Sequence, residues 1–207
     1  MTLSAHELNK LKYASTIDGV LPVLRQRWSP RSFTEREVAP ADLAVIFEAA
    51  RWAASSGNQQ PWRFLLGVRN SITHKKIASV LTGTNKEWAP NAPVLILGTA
   101  NTKSGSSSAA NAYALYDLGA ASSYLTLQAA VLGLVTHQMA GYDHEAARQV
   151  LKIPESYALG SVIALGYQGE PAALANEQLV TRETTPRQRK PLSEIVFSAW
   201  GEPADLS

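Results

Sequence analysis

An uncharged stretch in the second half of the chain limits the folds that are open to it. No residue from Leu118 to Val135 carries a charge, and alanine and glycine fill much of the stretch. A stretch of this length could cross a membrane as a helix, but its serine, threonine, tyrosine and glutamine side chains argue against a membrane span. We therefore predict a long helix from about Ala110 to Gly133 that is apolar on nearly every side and is buried within a protein assembly.

The size of the chain bears on what could bury such a helix. With 207 residues, the chain suits one domain of ordinary size. Small residues in the stretch, among them Gly119, Ala120 and Ala121, allow another helix to approach closely. We predict that a second subunit supplies part of the burial, and we expect no membrane partner.

The overall composition excludes several classes of function. A net charge of +2 gives no reason to expect a nucleic acid or an acidic partner. The chain has no cysteine, which excludes disulfides, thiolate nucleophiles and iron–sulfur clusters. That absence fits a cytoplasmic protein, and the first residues do not form the basic and apolar pattern of a secretory signal.

Helix caps and apolar runs predict the remaining elements. Ser4 and Glu7 have the spacing of a capping box, and Asp143 is placed to cap a short helix. Further helices are predicted at 42–54 and 71–81, and buried strands at 64–68, 93–97 and 161–167. The serine-rich segment 101–108 is predicted to be a mobile loop, either a lid over a site or a solvent-exposed connection.

Several common catalytic motifs are missing from the sequence. There is no glycine-rich dinucleotide fingerprint, no phosphate-binding P-loop and no serine-hydrolase elbow. The four histidines are scattered, and no two of them have metal-ligand spacing, so we predict no metal site. A chain without an obvious acid, base or nucleophile is what one expects when a cofactor carries the reaction.

Three separated segments carry the residues that bear most directly on function. The first is Arg27-Trp28-Ser29-Pro30-Arg31, and the second is Ser55-Ser56-Gly57-Asn58-Gln59-Gln60-Pro61-Trp62. The third runs from Gly133-Leu134 to Gln138-Met139-Ala140-Gly141-Tyr142-Asp143. Together they resemble the motifs of the nitroreductase family, whose members bind flavin mononucleotide (FMN) at a dimer interface. The resemblance extends from about Arg27 to Val196.

The resemblance assigns the first segment to the FMN of the same subunit. Arg27 and Ser29 would serve the phosphate and the ribityl chain, with Trp28 between them also at the cofactor. A guanidinium suits this role because its planar donors match the phosphate oxygens. Arg31 would lie by the flavin N1 and C2 carbonyl, where negative charge gathers on reduction. Without the resemblance, the segment could equally be a solvated basic turn.

The second and third segments would complete the site from the two subunits. Ser55, Ser56 and Asn58 would reach across the dimer to donate hydrogen bonds to the partner's flavin, although Ala54 replaces the family's usual proline. The backbone amides of Ala140 and Gly141 would face flavin N5, so the resemblance implies no catalytic acid or base side chain. Two neighbours in that segment are also assigned to the cofactor, Gln138 and Met139.

Some further positions match the family more loosely. Arg187 and Arg189 resemble a late basic pair that closes on the FMN phosphate, although a solvated basic run would look the same. Asn85 resembles a residue at the flavin edge. Trp88 and Tyr142 are candidates for the acceptor pocket, with core packing as the alternative for both.

The resemblance also implies a fold, a reaction and an organisation of the chain. The fold would be α+β, with a mostly antiparallel sheet flanked by helices in an intertwined homodimer. NADPH or NADH would deliver hydride through flavin N5 to a small acceptor, such as a nitroaromatic or a quinone, with ping-pong kinetics. Residues 1–207 would form one domain, with a helical extension over 1–24 and a C-terminal arm over 170–207.

Other activities fit the same sequence. The chain could bind FMN as a carrier or sensor without useful turnover. Relatives of this fold also perform reductive dehalogenation, flavin cannibalisation and azoline oxidation, so the fold does not determine the reaction. Nucleic-acid binding through 182–190 is disfavoured by the near-neutral net charge.

Overall fold

An antiparallel sheet forms the centre of the molecule. The structure, a computed structural model, describes residues 3–104 and 109–206. The strands of the sheet are β1 (Trp62–Val68), β2 (Val94–Asn101), β3 (Val135–Met139) and β4 (Tyr157–Gly166). They lie in the order β1-β2-β4-β3, and each is antiparallel to its neighbours. Near the C-terminus, β5 (Phe197–Ala199) pairs with β6 (Glu202–Pro203) in a separate small sheet.

Helices cover both faces of the central sheet. In chain order, the α-helices of the described residues are α1 (Ala5–Lys12), α2 (Pro22–Gln26), α3 (Pro40–Arg51), α4 (Ile72–Ser79), α5 (Asn85–Trp88), α6 (Ala114–Val131), α7 (His144–Leu151) and α8 (Glu177–Thr184). Helices α3 and α6 pack against each other on one face, and α4 and α7 pack on the other.

The alternation of side chains along β2 explains why both faces need helices. Val94 and Ile96 lie in the core with α3 and α6, whereas Leu95 and Leu97 lie in the opposite core with α4 and α7. All four side chains are fully buried. A strand with two apolar faces cannot leave either face in water. The predicted α+β fold, with a mostly antiparallel sheet flanked by helices, is therefore confirmed.

The two predicted helix caps agree with the structure, but one strand of the central sheet was not predicted. Ser4 caps α1 in a full capping box with Glu7, and Asp143 caps α7. No strand was predicted at Val135–Met139, which forms the edge strand β3. Its run of polar residues gave no apolar signal of the kind that marks the interior strands.

The long helix α6 keeps an uncovered apolar face within this chain. Its inner side packs on the sheet through Leu118, Ala121 and Leu125, which are buried. On the outer side, Tyr116 is 77% exposed and Val131 is 65% exposed. Within the residues that the structure describes, no helix has both the length and the apolar character needed to cross a bilayer.

Two other predictions concern the loop and the arm. Lys103 and Ala110 pair as an isolated antiparallel bridge, so the ends of the serine-rich loop lie close together. Residues 105–108 of that loop lie outside the described residues. The C-terminal arm buries Leu179 but leaves the large apolar side chains of its last part, from Leu192 to Leu206, exposed, and Trp200 is 96% exposed.

Candidate functional site

A cluster of arginines lies where the two ends of the chain meet. The Nη1 of Arg27 donates a hydrogen bond to Ser29 Oγ at 3.4 Å. Arg187 donates to the backbone carbonyls of Lys12 (2.9 Å) and Arg25 (3.1 Å), which fixes it beside α2. Burial lowers the pKa of Arg27, and the positive charges of Arg187 and Arg189 lower this pKa further. The structure thus brings Arg27 together with Arg187 and Arg189, which lie far from it in the sequence.

No carboxylate of the described residues lies within ion-pair distance of these positive charges. Among the described residues, no ion pair within 4.0 Å joins Arg27, Arg187 or Arg189 to an acidic side chain. Clustered guanidinium groups repel one another, and a phosphate dianion would relieve that repulsion with charge-assisted hydrogen bonds. The arrangement therefore fits a phosphate group.

A cavity of about 520 Å³ opens beside Arg27. Its lining includes Trp28, Thr126 and Thr136. It also includes Gln168, whose side-chain oxygen and nitrogen are buried with no hydrogen-bond partner. A cavity of this size suits a small organic ligand, and the carboxamide of Gln168 offers both a donor and an acceptor to it.

The turn that carries Arg31 is fixed by a buried carboxylate. Glu183 Oε1 accepts hydrogen bonds from the backbone N–H of Arg31 (2.8 Å) and of Ser32 (3.2 Å). Glu183 Oε2 lies 3.5 Å from Arg31 Nη1 in an ion pair. The pairing residue, Glu183, was not anticipated from the sequence, because it lies in a charged tail segment that has the composition of a solvated surface.

The chain after β3 forms the second part of the site. Gln138 and Ala140 are exposed, whereas Met139 between them is buried in the core. The backbone carbonyl of Gly141 accepts a hydrogen bond from Asn85 Nδ2 at 3.0 Å. A Cβ atom at Gly141 would come within 2.8 Å of that nitrogen, so a larger residue there would displace the Asn85 amide. The structure thus brings Asn85 and Gly141 together.

An aromatic group packs beneath the Arg31 turn. Trp88 stacks on Phe33 and lies 4.6 Å from the His137 ring, measured between ring centroids. His137 Nδ1 is 3.0 Å from the carbonyl oxygen of Pro30. Burial lowers the pKa of His137 to about 4, and the positive charge of Arg31 acts in the same direction. His137 is therefore neutral at pH 7.

The two candidates for the acceptor pocket lie in the core. Trp88 is 1% exposed and Tyr142 is 5% exposed. The Tyr142 hydroxyl donates a hydrogen bond to the carbonyl of Gly160 at 2.6 Å, and burial raises its pKa to about 12. Their positions favour the alternative of core packing over direct contact with an acceptor.

The loop that carries Ser55, Ser56 and Asn58 lies at the first turn of α6. The backbone N–H of Ser56 donates to Asp117 Oδ2 at 3.2 Å, and Ser55 Oγ accepts from the backbone N–H of Gln60 at 3.0 Å. Gly57, Asn58 and Gln60 have φ values of 56°, 53° and 47°. Such a backbone persists only where its surroundings fix it, and these hydrogen bonds do so while Ser56 and Asn58 stay exposed.

This loop and the arginine cluster lie towards opposite ends of α6. Asp117 is in the first turn of the helix, whereas Thr126 and Ala130 line the cavity beside Arg27. At a rise of 1.5 Å per residue, Asp117 and Thr126 are separated by about 14 Å along the helix axis. The structure therefore does not bring all the predicted cofactor residues together within one chain.

A comparison with known protein families decides the identity of the fold. The model of the nitroreductase family matches residues 24–167. The chain belongs to the nitroreductase family. The match begins after α1 and ends before α8, so Glu183 and the late arginines lie outside it.

Individual relatives agree with this assignment. A putative NADH dehydrogenase/NAD(P)H nitroreductase of Archaeoglobus fulgidus is 32% identical over 153 residues, which cover 71% of this chain and 84% of the relative. An uncharacterized 15.4 kDa protein of Mycolicibacterium smegmatis is 34% identical over 149 residues, which cover 68% of this chain and 99% of that protein. A solved oxidoreductase containing FMN has a TM-score of 0.84 and 30% identity, covering 90% of this chain and 95% of its own.

Proposed function

We propose that this nitroreductase-family chain is a cytoplasmic, FMN-dependent oxidoreductase that takes electrons from NADH or NADPH and reduces a small acceptor, such as a nitroaromatic or a quinone. The observation that carries the proposal is the convergence of Arg27, Arg187 and Arg189 without a carboxylate partner among the described residues. When bound, FMN supplies the hydride chemistry at its N5 atom.

The residues of the chain would bind and orient the cofactor. The arginine cluster holds the phosphate, and Ser29 and the cavity beside Arg27 receive the ribityl end. Arg31 places a positive charge at the pyrimidine edge of the flavin, which favours the reduced anionic form. The backbone amides of Ala140 and Gly141 would hold the flavin at N5, so orientation and electrostatics would replace a side-chain acid or base.

We propose that two copies of the chain complete each site. The supporting observations are the exposed apolar face of α6, the exposed apolar arm, and the distance along α6 between Ser56 and the arginine cluster. If two α6 helices cross antiparallel about a two-fold axis, the Ser56 loop of one copy lies at the Arg27 end of the other. A homodimer would then carry two equivalent sites.

The first test is the visible absorption spectrum of the purified protein, recorded anaerobically before and after NADH or NADPH is added. Flavin bands that bleach on addition support the proposed oxidoreductase, and acceptors can then be compared by the rate at which the bands return. Flavin that stays oxidised with both nicotinamides would favour a carrier or sensor. If no flavin binds even after reconstitution with FMN, the proposal is wrong.

A further inference from the structure

A buried acidic side chain lies directly behind the residue proposed to face the flavin. Glu183 is 0% exposed and lies on α8, outside the part of the chain that matches the family model. It contacts Arg31 through both the backbone N–H and the guanidinium. Burial of a carboxylate costs free energy, and a packed apolar residue is often at least as stabilising as a buried ion pair. Its presence at this position therefore suggests a role beyond stability.

A second charged side chain lies on the other side of Glu183. Lys12 is 4% exposed, although it is a lysine at the end of α1. Its Nζ donates a hydrogen bond to the carbonyl of Thr185 and lies 4.8 Å from the centre of the Trp28 ring. Burial lowers the pKa of Lys12, and the negative charge of Glu183 raises it.

Glu183 interacts with two positively charged side chains, and one of these interacts with a third. Arg31 and Lys12 both act on Glu183 as positive charges, and Arg187 lies close enough to Lys12 to repel it. Burial raises the pKa of Glu183, while the two backbone N–H groups and the two cations oppose that rise. When it is ionised, Glu183 cancels part of the positive field that Arg31 projects, and Lys12 cancels part of the negative field of Glu183.

We propose that Glu183 is a positioning residue that holds the Arg31 turn and sets how strongly Arg31 stabilises the reduced flavin, with Lys12 as the opposing charge. This inference rests on the proposed function, because it needs FMN beside Arg31. Glu183 touches neither substrate nor cofactor in this account and acts through Arg31 alone.

The test is the midpoint potential of the flavin in the FMN-saturated protein at pH 8. Glu183→Gln keeps the size of the side chain and a carbonyl acceptor for the backbone N–H groups but removes the negative charge. We expect the ratio of reduced to oxidised flavin at a given potential to rise about tenfold, as for one charge acting at intermediate distance. For a two-electron couple that is an upward shift of about 30 mV.

Lys12→Met provides a second variant with the opposite charge change. Removal of this positive charge should lower the midpoint potential. A purely structural role would not produce shifts of opposite sign in the two variants, because both substitutions disturb packing. Glu177→Gln is the matched control, since Glu177 is an exposed carboxylate in the first turn of the same helix, and it should leave the potential unchanged.

The pH dependence supplies a further signature of charge. The difference between wild type and Glu183→Gln should shrink as the pH falls, because a protonated Glu183 carries the same charge as glutamine. An unchanged potential in Glu183→Gln at pH 8 would overturn the inference. If Glu183→Gln does not retain FMN, the midpoint potential of Lys12→Met is the test. A midpoint potential of Lys12→Met that is not lower than that of the wild type would overturn the inference. Absence of FMN from the wild type would instead refute the proposed function.

Discussion

Arg187 is held in place by two backbone carbonyls, those of Lys12 and Arg25. Its guanidinium is thus available to an anion without first breaking an ion pair. We expect Arg187→Ala to weaken FMN binding by about 10- to 100-fold, because a hydrogen bond to a charged group contributes about 1.5–3 kcal/mol. Titration of the apoprotein with FMN, followed by flavin fluorescence, measures the change.

Arg182→Ala is the control for that substitution. Arg182 is an exposed arginine in the last turn of α8, so the variant removes the same charge from a nearby position outside the cluster. Equal weakening in both variants would show that net charge, rather than the cluster, determines FMN affinity.

The partly buried imidazole of His137 should make the fold sensitive to acid. The pKa of His137 is lowered from 6.5 to about 4, chiefly by burial and secondarily by the positive charges of Arg31 and Arg27. Between those two values the unfolded chain binds a proton that the folded chain does not, so stability is present above pH 6.5 and is lost as the pH falls. The full loss amounts to about 3 kcal/mol.

His137→Phe should flatten that dependence. Phenylalanine retains a ring against Trp88 but cannot take up a proton. We expect urea unfolding of the wild type to lose more stability between pH 7 and pH 5 than unfolding of the variant. Parallel losses in both proteins would assign the acid sensitivity to other groups.

Residue contacts that cross the whole chain could not be predicted from the sequence. The hydrogen bond between Arg31 and Glu183 joins residues 152 positions apart. No local pattern marks Glu183, since most residues of α8 are charged or polar, as in a solvated helix, and only Leu179 and Val180 are apolar. By contrast, Ser4 and Asp143 were identified as caps because a cap needs only its own first turn.

At the scale of the element, α6 determines how two copies could associate. Tyr124 lies in the middle of the helix and is 46% exposed. We expect Tyr124→Glu to convert the proposed dimer largely to a monomer and to lose FMN with it, because a carboxylate would be buried without a partner. Light scattering after size-exclusion chromatography measures the mass, and the absorption spectrum measures retained flavin.

Ile72→Glu is the matched control for α6. Ile72 is 75% exposed and lies at the start of α4, on the opposite face of the sheet. The Ile72→Glu substitution introduces the same charge on a different surface, so it should leave the molecular mass and the flavin content of the protein unchanged. A dimer that survives Tyr124→Glu would place the subunit contact elsewhere.

Some elements can be predicted from the sequence more clearly than others. Strand β2 was predicted because its two apolar faces produce an unbroken apolar run, and α6 was predicted because no charge interrupts the chain from Leu118 to the end of the helix. Strand β3 was missed because a short edge strand is stabilised by its pairing with β4 rather than by its own composition.

At the scale of the whole molecule, the shared site predicts complementation between two defective chains. Arg27→Ala removes the guanidinium that would bind the phosphate. Asn58→Ala removes the carboxamide of the loop that would come from the other copy. Each variant alone should bind FMN weakly. A mixed dimer has one intact site and one doubly altered site, and random pairing makes about half of the dimers mixed. Co-expression should therefore restore about one quarter of the wild-type sites.

The outcome of that experiment separates two architectures. Tandem affinity tags on the two variants isolate the mixed dimer, and its flavin content is compared with that of each parent. Restoration confirms that each site draws on both chains. A mixed dimer as empty as its parents would mean that Arg27 and Asn58 serve the same chain's cofactor, or that one of them does not serve it.

The two ends of the chain are joined to each other outside the region that the family model matches. Lys12 donates to Thr185, Arg187 donates back to Lys12, and the backbone N–H of Ala5 donates to Glu170 at 2.8 Å. Loss of either end would remove hydrogen-bond partners from polar groups on the other, among them the buried Lys12. We therefore expect that relatives that lack α1 also lack α8.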